Sequence, residues 1–233
     1  MSKASYTVNN TVALLPMKAN SERVPGKNFK QFAGKPLFRW ILDSLIAVPE
    51  IDLVVINTDA RDVLAEHGLL DSDKVLIRDR KSELCGDHVS MNRVLADDIE
   101  HVQADIYLMT HATNPLLSSS TISEAIACYR NAMAEVNADS LFTVNKIQTR
   151  FYREDATPIN HDPSELVRTQ DLELWYEENS NLYIFSQRSF AVTNARIGQN
   201  PTMFITPKIE SLDIDEPEDW DIAHAIARDF QQE

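Results

Sequence analysis

Short apolar runs alternate with segments of helical periodicity along most of the chain, and this alternation limits the folds that it can adopt. Each apolar run is rich in branched residues and has the length of a buried strand, whereas apolar residues in the intervening segments recur every three or four positions. Strands are predicted at 11–15, 51–56, 74–77, 105–109 and 140–144, and helices at 36–46, 60–67, 90–102 and 119–133. This order favours a mostly parallel, doubly wound α/β sheet with helices on both faces.

In the second half of the chain this alternation of strands and helices first stops and then continues. The region of about 146–199 offers a single strand candidate, at 182–185, and no linker composition brackets it. Strands are then predicted at 203–206 and 209–214, and a closing helix at 217–230. We interpret 1–233 as a single domain in which 146–199 is an inserted subdomain.

Composition narrows the classes of protein that remain. With 233 residues, 43% of them hydrophobic, the chain can bury one sizeable core. The formal net charge of −14 argues against binding to nucleic acid or to an anionic membrane, because both are polyanions. No apolar run approaches the roughly 20 residues of a membrane span, and the first ten residues lack the apolar stretch of a signal peptide. We expect a cytoplasmic protein without nucleic-acid or membrane partners.

A basic loop follows the first predicted strand. From residue 14 to residue 39 the chain holds six lysines and arginines against one acid, Glu22, although the whole chain is acidic. Lys18, Arg23 and Lys27 lie in this loop, beside small and polar residues and a Pro-Gly turn. Several cations held together bind a polyanion such as a phosphate chain, although an ordinary exposed loop would show the same charge.

Four polar segments should meet at one edge of the sheet, because ligands of open parallel sheets bind at the carboxyl ends of the strands. These segments are 18–28, 57–59, 111–115 and 213–215. A cationic loop opposite a pair of carboxylates suits a metal–nucleotide complex. The cations would hold the phosphates and the carboxylates would hold Mg²⁺, a hard ion that prefers oxygen ligands.

The two carboxylates of this site allow a second interpretation. Asp213 and Asp215 are two positions apart in a predicted strand, so both would face one side and could bind a single Mg²⁺ ion. The segment 210–219 holds six acids, however, and acidic residues are also typical of a helix start. The spacing alone leaves both interpretations open.

Several of these residues match the motifs of one family. The sequence resembles the CMP-sugar synthetases, the acylneuraminate cytidylyltransferase family, over nearly its whole length. The matching residues are Ser21, Arg23, Pro25, Lys27, Asn28, Thr58, Asp59, Arg80, Asp87, Thr113, Pro115, Arg168, Asn179, Tyr183, Asp213 and Asp215. Each motif alone is weak, and together they are fairly specific to cytidylyltransferases.

The resemblance implies a Rossmann-like sheet of the nucleotide-diphospho-sugar transferase type and a nucleotidyltransferase that uses CTP and Mg²⁺. CMP would be transferred to an acidic sugar of the sialic, legionaminic or pseudaminic type, with release of pyrophosphate, in a homodimer that the inserted subdomain helps to form. The expected roles are metal binding for Asp213 and Asp215; catalysis for Lys27, Asp213 and Asp215; nucleotide binding for Lys18, Ser21, Arg23, Lys27, Asn28, Arg80 and Asp87; and acceptor binding for His111, Thr113, Arg168, Asn179 and Tyr183.

Departures from the family pattern affect the acceptor positions more than the nucleotide positions. Lys18 stands in place of an arginine and keeps its charge, whereas Glu22 replaces a lysine. His111, Leu117 and Glu177 stand where a glutamine and two arginines are expected. We therefore expect a retained reaction with an unusual acceptor. A nucleotide-sugar-dependent glycosyltransferase, a related cytidylyltransferase with a different acceptor, and a catalytically silent nucleotide-binding protein remain alternatives.

Overall fold

The computed structural model describes residues 10–20, 23–86, 88–165 and 167–230. Its strands are β1 (Thr11–Leu14), β2 (Gln31–Phe32), β3 (Lys35–Pro36), β4 (Leu53–Thr58), β5 (Val75–Asp79), β6 (Ile106–Met109), β7 (Ser140–Ile147), β8 (Trp175–Ser186) and β9 (Pro201–Ile205). Its α-helices are α1 (Leu37–Ala47), α2 (Arg61–Glu66), α3 (Met91–His101), α4 (Ser119–Val136), α5 (Gln187–Thr193) and α6 (Pro217–Phe230).

Seven of the described strands form one sheet in the order β5–β4–β1–β6–β8–β7–β9, and β2 and β3 form a separate hairpin. β1 pairs in parallel with β4 and β6, as β4 does with β5 and β7 with β9. β8 runs antiparallel to both of its neighbours. All four residues of β1 are buried, as expected of a strand with helices on both faces. The predicted α/β class and mostly parallel sheet are confirmed.

The strand predicted at 209–214 is wrong. The chain turns there instead, and the backbone N–H of Glu210 donates to the carbonyl of Pro207 at 2.9 Å. Proline favours such a turn because its ring fixes φ and it has no N–H to give to a strand ladder. Asp213 and Asp215 therefore lie on a loop before α6, and strand alternation does not place them.

The region 146–199 lies partly inside the sheet and partly outside it. β8 enters the middle of the sheet, whereas the described residues of 148–174 lie outside it and contain an isolated bridge between Tyr152 and Pro158. The strand expected at 182–185 is thus the buried end of a much longer strand. That this region forms an inserted subdomain with its own role stays a prediction.

Apolar side chains pack on both faces of the sheet, from α1 and α4 on one face and from α3 and α5 on the other. A third cluster joins the β2–β3 hairpin to α6. In it the ring of Phe32 lies 5.1 Å from that of Trp220 and 5.8 Å from that of Trp40, both edge to face. This contact holds the chain that follows the basic loop against the chain that follows Asp215.

Candidate active site

A cleft of about 340 Å³ lies at the carboxyl ends of the parallel strands, between the basic loop and the loop before α6. The residues expected in the site that line this cleft are Lys18, Arg23, Lys27, Asn28, Arg80, His111, Thr113, Asp213 and Asp215. Ser21 and Asp87 were also expected there, and like Glu22 they lie outside the described residues. Three of the four polar segments thus line the cleft, and the fourth, 57–59, contacts the basic loop through Asp59.

Hydrogen bonds fix the shape of the basic loop. The backbone N–H of Ala19 donates to the carboxylate of Asp59, directly after β4, at 2.7 Å. The side-chain amide of Asn28 donates to the carbonyl of Lys18 at 3.0 Å and closes the loop. Gly26 has φ +62°, a left-handed conformation in which glycine avoids the strain of a side chain. The loop is thus held to the sheet and to itself.

Lys27 joins the basic loop to the loop before α6. Its side chain is only 8% exposed, and Nζ donates to the carbonyl of Ile214 at 2.5 Å and lies 3.3 Å from Oδ1 of Asp215. A buried ammonium needs such partners, because an unpaired charge away from water is costly. Lys27 therefore sets the position of Asp215 relative to the basic loop.

Arg23 makes contacts of a different kind with the same acidic loop. Its guanidinium lies 2.9 Å from Oε1 of Glu216 and 3.2 Å from Oδ2 of Asp215, and its side chain is 55% exposed. The hydrogen bond to Glu216, followed by the charge of Asp215, raises the pKa of Arg23. Exposed ion pairs contribute little to stability, so this guanidinium can exchange its carboxylate partners for a phosphate.

Asp213 carries a buried oxygen, Oδ1, that has no hydrogen-bond partner among the described residues. Burial raises the pKa of Asp213; a hydrogen bond with Thr113 opposes this rise, and the charge of Asp215 adds to it. A divalent cation would satisfy the oxygen and offset the repulsion between the two carboxylates. The donor set of two carboxylates in this cleft fits Mg²⁺.

The backbone N–H groups at the start of α6 donate to a different acid from the two that line the cleft. Oδ2 of Asp219 accepts hydrogen bonds from the backbone N–H groups of Asp215, at 3.0 Å, and Glu216, at 2.7 Å. The side chains of Asp213 and Asp215 face the cleft. The acid that accepts hydrogen bonds at the start of α6 is thus Asp219, and metal binding by Asp213 and Asp215 stays a prediction.

A backbone irregularity shapes the end of the cleft next to β8. The pairing of β7 with β8 shifts between Phe142 and Val144, and Ser180, in the bulged part of β8, has φ +55°. Ser180 and His111 both line the cleft. Burial lowers the pKa of His111 to about 4, and the charge of Arg196 lowers it as well, so the imidazole is neutral at pH 7. This end offers neutral polar groups, in contrast to the cationic loop.

Tyr183 and Asn179 lie behind this end of the cleft and do not line it. Tyr183 is fully buried, and its hydroxyl contacts Glu178 and bonds with Oγ of Ser180 at 3.1 Å. Nδ2 of Asn179 donates to Oγ1 of Thr206 at 2.6 Å. Both residues support the bulge that presents Ser180, and their expected role in acceptor binding stays a prediction.

Two arginines are candidates for binding an acceptor carboxylate. Arg168 lies outside the cleft, where Nε and Nη2 donate to the two carboxylate oxygens of Asp171 at 2.7 and 3.0 Å. Arg196 was not expected from the sequence. Its guanidinium carbon lies 4.0 Å from the centre of the Tyr183 ring, and its charge reaches His111. The role of Arg168 stays a prediction. Arg196 does not line the cleft either, and it is a second candidate because its charge acts on His111, which does line it.

Sequence reasoning also passed over Met91 and Ser180 as cleft residues. Met91 begins α3, and an apolar residue at a helix start carries no signal of a binding role. Ser180 reaches the cleft because the backbone of β8 bulges, and no residue pattern in the sequence of β8 predicts this bulge.

A sheet of this topology with a cationic, carboxylate-lined cleft at its carboxyl edge defines an α/β protein of the nucleotidyltransferase type. Within that class the chain belongs to the cytidylyltransferase family, whose sequence model matches residues 12–227. The resemblance found in the sequence motifs is confirmed.

Individual relatives agree with this assignment at low identity. A pseudaminic acid cytidylyltransferase of Campylobacter jejuni is 22% identical over 225 residues, and the match covers 92% of this chain and 95% of the relative. A CMP-N,N'-diacetyllegionaminic acid synthase of Legionella pneumophila is 26% identical over 233 residues, with the same coverage. A solved CMP-2-keto-3-deoxy-manno-octonic acid synthetase complexed with CTP has a TM-score of 0.64 at 14% identity, covering 96% of this chain and 100% of its own, which shows a shared fold.

Proposed function

We propose that this protein is a CMP-sugar synthetase that transfers CMP from CTP to an acidic sugar. The observation that carries the proposal is the cleft in which Lys18, Arg23, Lys27 and Arg80 surround two carboxylates on a cytidylyltransferase fold. Several cations offset the charge of a triphosphate, and a partly buried site strengthens their effect. Relatives named for pseudaminic and legionaminic acids support an acceptor of the nonulosonic acid class.

In the proposed reaction a hydroxyl oxygen of the sugar attacks the α-phosphorus of CTP. A new P–O bond forms as the bond to the oxygen shared with the β-phosphate breaks, pyrophosphate leaves with that electron pair, and the hydroxyl proton is released. The protein contributes by positioning the reactants and by neutralising charge. Lys27 offers a fixed, nearly buried charge, whereas Arg23 is exposed and can close over the phosphates. Asn28 and Arg80 bind the nucleotide.

We assign Mg²⁺ binding to Asp213 and Asp215. When bound, the ion would stabilise the negative charge on the reacting phosphates. Asp213 offers the buried Oδ1 described above. The oxygens of Asp215 are shared with Lys27 and Arg23, so Asp215 would release at least one of these cations toward the phosphates as it binds metal.

Pyrophosphate release tests the proposal. The protein is mixed with Mg²⁺ and CTP, or with UTP as a control, and with each of pseudaminic, legionaminic, N-acetylneuraminic and 2-keto-3-deoxy-octonic acids. We expect release with CTP and at least one of these acids. A nucleotide-sugar-dependent glycosyltransferase would instead consume a CMP-sugar without forming pyrophosphate. Binding of CTP without turnover of any of these acids would contradict the proposed acceptor class, and would leave a silent nucleotide-binding protein or a cytidylyltransferase with a different acceptor.

We also propose that the protein forms a homodimer through the part of 146–199 that lies outside the sheet. Large apolar side chains are exposed there at Tyr152, Ile159, Val167 and Leu174. Apolar patches on a surface are typical of contacts with another chain. Sedimentation of the wild type against the double variant Val167→Asp, Leu174→Asp tests this, because the variant should sediment as a monomer.

A further inference from the structure

We propose that Asn57 and Asp98 are positioning residues that hold the guanidinium of Arg80 in the cleft before CTP binds. The inference rests on the proposed function in one respect, that Arg80 binds the nucleotide. Arg80 follows β5 directly, and its backbone N–H donates to the carbonyl of Thr58 at 2.8 Å. Its Nε donates to Oδ1 of Asn57 and its Nη2 to the carbonyl of Asn57, both at 2.8 Å. Backbone and side chain of Arg80 are thus both fixed to the end of β4.

A buried carboxylate holds the side chain of Asn57 in turn. Nδ2 of Asn57 donates to Oδ1 of Asp98 at 2.8 Å, and both residues are fully buried. A guanidinium only donates hydrogen bonds and a carboxylate only accepts them, so the group between them must accept on one side and donate on the other. The asparagine amide accepts through its oxygen and donates through its nitrogen, and only one orientation of the amide makes both hydrogen bonds. Aspartate and leucine, which have similar shapes, cannot replace it.

Asp98 is anchored on its far side by another arginine. α3 carries Asp98 and Asp97 toward the ends of β4 and β5, where Arg78 contacts Asp98 and lies 2.9 Å from Oδ2 of Asp97. The side chain of Arg78 is 13% exposed. A continuous set of contacts therefore runs from Arg78 through Asp98 and Asn57 to Arg80. Of these four residues, Arg80 is the one that lines the cleft.

This arrangement prepares Arg80 for its ligand. A long side chain that is free in the unbound protein loses rotamer freedom when it binds an anion, and that loss weakens binding. The bonds to Asn57 order Arg80 in advance, and the guanidinium keeps further N–H donors on its other edge. Asn57 should therefore affect the binding of CTP and leave the binding of the acceptor unchanged.

A double-mutant cycle on CTP binding tests the inference, with dissociation constants measured by calorimetry for the wild type, Asn57→Ala, Arg80→Ala and the double variant. Asn57→Ala removes the bond to Nε and keeps the one from Nη2 to the backbone carbonyl. We therefore expect it to raise the Kd for CTP about fivefold, part of the cost of ordering one long side chain. In the Arg80→Ala background the same change should have no further effect. Additive effects in the cycle, or an unchanged Kd in Asn57→Ala, would overturn the inference.

Two further variants separate positioning from simple destabilisation. Val55→Ala removes a buried apolar group on the same face of β4, so it should lower the free energy of unfolding and leave the Kd for CTP unchanged. Asp98→Asn keeps its shape and frees the Asn57 amide to turn. If Asn57→Ala does not fold, the same cycle is run with Asp98→Asn, for which we expect a rise of about threefold that Arg80→Ala abolishes.

The result can be told apart from a failure of the proposed function. If CTP binds with this coupling and no acidic sugar is turned over, the proposed reaction is wrong and the positioning role stands. If the wild type turns over a sugar and the cycle shows no coupling, the positioning role alone is wrong. A wild type that does not bind CTP overturns both.

Discussion

The two ends of the cleft are built in different ways. At the end that we propose to bind the nucleotide (the nucleotide end), Lys27 and Arg80 are held by carbonyl and amide groups at strand ends and in the loop before α6. At the end that we propose to bind the acceptor (the acceptor end), a bulge with positive φ presents Ser180, and Arg196, behind the lining, lies against an aromatic ring. The first end depends on the regularity of the sheet, and the second on a local departure from it. We infer that the nucleotide end serves the reaction and that the acceptor end selects the sugar.

The largest expected effect lies at the paired carboxylates, Asp213 and Asp215. Asp213→Asn should lower kcat about a hundredfold or more, because the amide cannot replace a carboxylate that binds a metal ion stabilising phosphoryl charge. The steady-state rate of pyrophosphate release at saturating CTP and Mg²⁺ measures this, and Asp215→Asn should behave similarly.

Asp221→Asn is the matched control for the carboxylate variants. It makes the same chemical change on the exposed side of α6 and should keep the wild-type rate. Wild-type rates in Asp213→Asn and Asp215→Asn would exclude both residues from metal binding.

A second prediction separates charge from geometry at the nucleotide end. Lys18→Ala should raise the KM for CTP about thirtyfold, as expected for the loss of one charge-assisted contact of about 2 kcal/mol. Lys18→Arg keeps the charge and should retain most of the activity. The KM for the acceptor should change little in either variant. Equal kinetics in all three proteins would exclude Lys18 from the phosphate site.

Sequence patterns predicted the two ends with different success, for a physical reason. The alternation of apolar runs and helical segments indicated the parallel sheet. The rule that ligands bind at its carboxyl edge then predicted that Lys27 and Asp213 lie close together, and both line the cleft with Arg80. A bulge has no such pattern, because the left-handed conformation of Ser180 is imposed by its surroundings and not by its residue type. The strand predicted at 209–214 was wrong as well. The preceding strand was predicted to end at 206, next to Pro207, but the turn that begins at this proline extends into the segment that was read as a new strand.

A third prediction compares the two candidate arginines for binding the acceptor, Arg168 and Arg196. Arg196→Lys should raise the acceptor KM about tenfold, because lysine keeps the charge and loses both the planar fork and the contact with the Tyr183 ring. Arg168→Lys should change it less, since Arg168 is already paired with Asp171 outside the cleft. The KM for CTP is the internal control in both variants. A larger effect at Arg168 would show that its pair with Asp171 opens to bind the substrate.

The smallest expected effect concerns the neutral imidazole of His111. Its pKa in the folded protein, about 4, lies below the ordinary histidine value of 6.5, so between these values the unfolded chain binds more protons. Stability is therefore full above pH 6.5 and falls as the pH is lowered toward 4. From about pH 7.5 to about pH 5.5 the His111 contribution to the free energy of unfolding should fall by about 1 kcal/mol.

Denaturant unfolding of the wild type and of His111→Gln at both pH values isolates this contribution, because every other titrating group is shared. We expect the difference between the two proteins to change with pH in favour of the glutamine variant at low pH. A constant difference would show that His111 titrates normally and is open to water, and the acceptor end would then be as solvated as the loop that carries Arg23.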